Sequence, residues 1–92
     1  SSKLVSYMSL KVPIFAIINP GNDYGELIDE SGSGLWSVGN NKEEILQKFE
    51  IIIKDKELRE KMGVNGYNYF LSNLTADKAF KLITEQIENE KA

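Results

Sequence analysis

The residues of this chain with chemistry to offer fall in a few places. Ser2 and Lys3 stand at the head of an amphipathic stretch, where free backbone N–H groups and a cation attract an anion such as a phosphate. The same pair also reads as a plain serine cap beside a solvated lysine. Asn19-Pro20-Gly21-Asn22 closes an apolar run, and the loop beyond the carboxyl end of a strand is where open α/β sheets take their ligands. Ordinary turn composition accounts for it more simply. Gly32-Ser33-Gly34 invites a phosphate-loop reading, but it has neither the G-x-x-x-x-G-K-S/T spacing nor G-x-G-x-x-G, so it reads as a turn. Asp23, Glu26, Asp29 and Glu30 offer a general acid–base pair or a cation site; helix capping and solvation explain them better. Trp36 offers a surface for stacking on a base or a sugar, yet a lone Trp in an apolar segment is more often core, as are Tyr67, Tyr69 and Phe70.

What is absent bounds the chemistry further. The chain has 92 residues with no Cys and no His, which removes disulfides, thiolate nucleophiles, imidazole bases and Cys- or His-ligated metals. No catalytic residue, metal ligand or cofactor is predicted within it. Lys plus Arg total 11 against 14 Asp plus Glu, a net charge of −3. Arg59 is the lone arginine and the lysines are scattered among carboxylates, so no nucleic-acid partner is expected. The longest apolar run, Val12 to Ile18, is far short of the ~20 residues of a membrane span. No signal peptide is read at the start, and a chain opening on Ser1 without Met reads as a processed or truncated piece. The expected compartment is the cytoplasm.

These residues need elements to position them. Leu4, Val5 and Met8 form the stripe of a short helix over 2–10, with Ser1 or Ser2 as its cap. Residues 12–18 are nearly all apolar and β-branched or aromatic, which predicts a strand buried on both faces, with Pro13 at its start. Asp23 and Glu26 form a capping-box-like pair ahead of a two-turn helix, ended by a left-handed cap at Gly32. Leu35 to Val38 is a second strand. Asn41 with Glu44 opens a helix striped by Ile45, Leu46, Phe49, Ile52 and Ile53. Asp55 caps the next, weakened by Gly63 and Gly66 at roughly 1 kcal/mol each. Thr75 precedes an amphipathic terminal helix bearing Ala76, Ala79, Phe80, Ile83 and Ile87.

The order implies an α/β fold with short parallel strands followed by three helices. Two short strands make a poor sheet, and parallel strands normally have more neighbours. The expectation is therefore one part of a larger doubly wound domain. Were 92 residues the whole chain, self-association through the strand edge would follow.

The order and wording of the segments resemble a known family. Ser2 to Ile14, S-K-L-V-S-Y-M-S-L-K-V-P-I, is similar to the P-S-K-x-x-E-Y-M-A-x-G-x-P-V stretch of bacterial GT-B retaining glycosyltransferases, which build O-antigen, capsule and related polysaccharides. Gly25-Glu26-Leu27-Ile28 and Ser31 to Leu35 continue the likeness. The likeness is strongest at Asn41 to Ile45 and at Asp55 to Gly63, the latter resembling the D-x-x-L-R-x-x-M-G signature.

The resemblance implies that residues 1–92 are the C-terminal half of the Rossmann-like donor-binding domain of a two-domain enzyme. Upstream strands, the basic residues that hold the diphosphate, and an N-terminal acceptor domain would precede Ser1. The implied activity is sugar transfer from a nucleotide-sugar donor, most plausibly a UDP-sugar, to a polysaccharide or lipid-linked acceptor. Peripheral membrane association of the whole enzyme would follow, at the inner face of the membrane. Donor-binding candidates are Ser2, Lys3, Ser6, Asn19 and Gly21. Two positions depart from the pattern: Ser6 stands where a Glu usually meets the ribose, and Lys11 where a Gly usually lets the chain turn. A different class of reading is a small non-catalytic α/β module that binds a protein partner through exposed apolar surface.

Overall fold

The computed structural model describes residues 2–91, with side chains at all of these except 2, 3, 86 and 89–91. Its elements run α1 (Ser2–Ser9), β1 (Ile14–Ile18), α2 (Tyr24–Ser31), β2 (Gly34–Val38), α3 (Lys42–Lys54), α4 (Lys56–Ser72) and α5 (Ala76–Lys91). The serine cap expected for α1 falls outside the described side chains.

β1 and β2 pair in parallel, with Ile14 opposite Gly34 and Ile18 opposite Val38. The crossover between them is α2, so the sheet is the smallest α/β unit. Side chains alternate between its faces. Ile14, Ala16 and Ile18 share one face with Trp36, and here α1 and α2 supply the cover: Leu4, Met8, Ile14 and Ile28 form one buried cluster. Ala16, Leu27, Tyr69 and Phe70 pack around it. Phe15 and Ile17 share the opposite face, where α3 brings Phe49 to 5.8 Å from the Phe15 ring and Glu44 to Ser37.

The expectation of a strand buried on both faces is corrected. The strand begins at Ile14 rather than at residue 12, and Ile17 is 58% exposed. Double burial needs a neighbour on each edge and a helix on each face; among the described residues β1 has one partner strand and one well-covered face. The α3 stripe is likewise only partly used. Ile52 is buried, while Leu46, Phe49 and Ile53 remain about half exposed.

Local capping explains most boundaries. Asn41 Oδ1 accepts from Glu44 N–H at 3.1 Å and Asp55 Oδ1 from Leu58 N–H at 2.9 Å. Thr75 Oγ1 accepts from Lys78 N–H at 3.2 Å. Gly32 takes φ +65° and ends α2, with its N–H on Asp29 O and the Ser33 N–H on Ile28 O. The Asp23–Glu26 capping pair does not form. Asp23 makes no side-chain cap bond, and Asn22 Oδ1 instead accepts from the Tyr24 N–H at 2.8 Å.

The glycines of α4, interior to the helix, are also its contact points. A Cβ at Gly63 would lie 2.2 Å from the Lys11 carbonyl oxygen, and one at Gly66 would lie 3.0 Å from Ser33 Cβ. Without side chains there, α4 lies directly on the α1–β1 link and on the start of β2. Asn65, between them, donates from Nδ2 to Gly32 O at 3.2 Å. Lys11 itself adopts φ +58°, a left-handed backbone, and sets its Nζ 4.6 Å from the Tyr67 ring centroid.

Candidate functional site

Parallel strands present their carboxyl ends to the same side, and here two loops meet there: residues 19–23 after β1 and 39–41 after β2. They are tied by Gly39 N–H donating to Ile18 O at 3.1 Å. Pro20 and Gly21 form the corner of a turn closed by Asn22 N–H on Asn19 O at 3.3 Å, with Gly21 at φ +87°. Asn19 and Gly21 are both exposed on this rim. The neighbouring amides are occupied by capping: Asn22 holds Tyr24, and Asn41 holds Glu44 through both its Oδ1 and Nδ2.

The electrostatics of this rim are unlike a phosphate site. Asp23, Glu26 and Glu30 line an open cavity of about 310 Å³ with Tyr24 and Leu27. Among the described residues no group of three or more acidic side chains is placed to hold a metal ion.

Ser6 lies apart from Asn19 and Gly21. It lines a cleft of about 220 Å³ between α1, α4 and α5 with Ser9, Phe70, Leu74 and Leu82. Its carbonyl accepts from Ser9 Oγ at 2.6 Å. Neither Asn19 nor Gly21 lines that cleft. The side chains of Ser2 and Lys3 lie outside the described residues.

A polar group that sequence reading passed over joins α2, β2 and α3. Lys48 Nζ donates to Trp36 O at 2.6 Å, pairs with Glu44 Oε1 at 2.8 Å and lies 5.6 Å from the Trp36 ring centroid. Trp36 Nε1 donates to Asp29 Oδ1 at 3.1 Å. Trp36, expected in the core, is half-buried, with this polar edge turned outward. Hydrogen bonds from Lys48 and then Ser37 hold the Glu44 carboxyl below the usual glutamate range. The Glu44–Lys48 spacing of four is the one part of this group that helical periodicity offers. The group fastens the sheet to its helices.

Four residues of the Asp55–Gly63 segment cap or pack. Asp55 caps α4, and Arg59 Nη1 donates to the carbonyls of Ile52 (2.8 Å) and Ile53 (2.6 Å) at the end of α3. Met62 is buried and Gly63 meets the Lys11 carbonyl. Comparison with protein-family models, curated proteins and solved structures finds no match for this chain.

Proposed function

We infer that this chain is the C-terminal part of the donor-binding domain of a GT-B glycosyltransferase, acting with further domain structure that supplies the acceptor site and the diphosphate cations. One observation carries the reading. Lys11 adopts a left-handed backbone at the position where the family pattern has Gly, and its carbonyl rests on Gly63, the last residue of the D-x-x-L-R-x-x-M-G-like segment. The two stretches of resemblance thus answer one geometric need, a tight turn against a helix with no side chain at the contact. Such a need is expected of residues that were kept together for packing.

In this reading the Asn19–Asn22 turn borders the donor cleft at the carboxyl edge of the sheet. Ser2 and Lys3 stand at the head of α1 toward the nucleotide, and Ser6 offers a hydroxyl where a carboxylate is usual. Rate acceleration in such enzymes comes from positioning the donor and stabilising the leaving diphosphate. A part without His or Cys is compatible with that division of labour. The donor is a UDP-sugar and the acceptor a polysaccharide or lipid-linked glycan, handled at the cytoplasmic face of a membrane.

The deciding experiment is calorimetric titration of the full polypeptide encoded by the gene with UDP and UDP-sugars. Saturable binding, weakened by Lys3→Ala, is the expected result. No heat with any nucleotide overturns the reading. The second reading, a protein-interaction module, is favoured by the apolar surface left open on α3 and α5. A start codon immediately before Ser1 would favour it, and several preceding strand–helix units would favour the enzyme.

A further inference from the structure

Asn65 is followed by Gly66, and that order has a chemistry of its own. The side-chain amide of an asparagine is open to attack by the backbone nitrogen of the next residue, and glycine, with no Cβ, hinders the approach least. Every other asparagine in the chain is followed by a residue with a side chain. In the reaction hydroxide takes the Gly66 amide proton and the nitrogen bonds to Asn65 Cγ. The Cγ–Nδ2 bond breaks, and the departing group takes a proton from water and leaves as ammonia. Water then opens the cyclic imide to aspartate, or to isoaspartate, in which the side-chain carbons have become part of the backbone. Water and hydroxide are the only co-reactants.

The fold holds this pair where the attack is blocked. Both residues lie in the interior of α4. A helical ψ of about −42° does not bring the next nitrogen in line with the side-chain carbonyl, and the Gly66 N–H belongs to the i→i−4 ladder of the helix. The leaving nitrogen is engaged as well: Asn65 Nδ2 donates to Gly32 O at 3.2 Å. Gly66 is buried, and a Cβ there would lie 3.0 Å from Ser33 Cβ and 3.5 Å from Met8 Cγ. The same contacts account for the pair standing here. Position 66 rests directly on Ser33 and Met8, and the amide at 65 gives the carbonyl at the left-handed end of α2 a donor.

We propose that Asn65–Gly66 is a self-modification site that α4 keeps closed in the folded chain, and that opening of α4 releases deamidation to a product unable to restore the native packing. Aspartate sets a carboxylate oxygen against the Gly32 carbonyl, acceptor against acceptor, in a half-buried place. Isoaspartate lengthens the backbone inside the helix and moves Gly66 out of phase with Ser33. A reversible opening thereby becomes a one-way loss. This does not rest on the donor-domain reading, and nucleotide titration leaves it untouched.

The test is peptide mapping by mass spectrometry of the full polypeptide, incubated at mildly alkaline pH in native buffer and in urea beyond its unfolding midpoint. In urea Asn65 should be the first asparagine to convert, giving both aspartate and isoaspartate. In native buffer its rate should be at least about tenfold lower. Asn65→Asp, the product made by substitution, should unfold at lower urea than wild type. The gap should narrow in acid, where the protonated carboxyl can donate to Gly32 O. The two rates are read on wild type and stand whether or not the variant folds. Equal rates folded and unfolded, another asparagine converting first in urea, or an Asn65→Asp chain as stable as wild type overturns the proposal.

Discussion

Lys11 shows how one residue can carry opposed terms. A left-handed backbone costs a non-glycine residue about 1 kcal/mol, and the contact of its ammonium with the Tyr67 ring returns about 0.5–1 kcal/mol. Lys11→Gly removes both and is expected to leave the urea unfolding free energy within about 1 kcal/mol of wild type. Lys11→Val keeps the strain, adds a branched Cβ and loses the contact, so it should destabilise by at least about 1–2 kcal/mol. Glu44 gives a second residue-level expectation. Its folded pKa is depressed by Lys48 and Ser37, so its contribution is present above the ordinary glutamate range and is lost as pH falls through the depressed folded value. Glu44→Gln should therefore flatten the acid limb of a stability–pH curve, with wild type the more stable at neutral pH and the two curves converging in acid; curves that stay parallel throughout would count against the assignment.

Elements were legible where their causes are local. The caps at Asn41, Asp55 and Gly32 lie within three or four residues of what they satisfy, and sequence reading places them. The Asp23 cap was misread because Asn22, one residue earlier, reaches the Tyr24 N–H instead. The propensity cost of Gly63 and Gly66 is readable from sequence, but what they pack against is not. Their partners, Lys11 and Ser33, lie tens of residues away, and no local pattern names them. The glycine positions separate propensity from packing. Gly63→Ala gains about 1 kcal/mol of helix propensity but drives a Cβ into the Lys11 carbonyl, and a net loss of about 1–2 kcal/mol is expected in denaturant unfolding. Gly39→Ala, whose Cβ would meet only Ile17 Cγ2 at 3.5 Å, should move stability by no more than about 0.5 kcal/mol.

At the scale of the whole molecule the fold is divided between one finished core and several unfinished surfaces. Met8 is 1% exposed inside the α1–α2–sheet cluster, whereas Phe80 on α5 is 70% exposed. Met8→Ala should cost about 2–5 kcal/mol in thermal or chemical unfolding, and Phe80→Gln no more than about 0.5 kcal/mol. A large loss from Phe80→Gln would show that α5 is buried against something in solution. The α/β class and segment order were readable from periodicity. The extent of burial was not, because an apolar stripe says that a face is to be covered and not by what. The candidate site was legible only as the position of the Asn19–Asn22 turn at the carboxyl edge.

The joint between α3 and α4 is made by a single residue. Asp55 closes one helix with its backbone N–H on Ile51 O and opens the next with its carboxylate, at φ −110° and ψ 93°. Such a joint has no slack for added length. One residue inserted after Asp55 would turn the Met62–Gly63–Gly66 side of α4 through about 100°, replacing the glycine contact surface with bulky side chains against α1 and β2. Natural length variation is therefore expected to avoid this corner and to collect in the turns at 19–23 and 39–41, where the chain is exposed and nothing downstream depends on its phase.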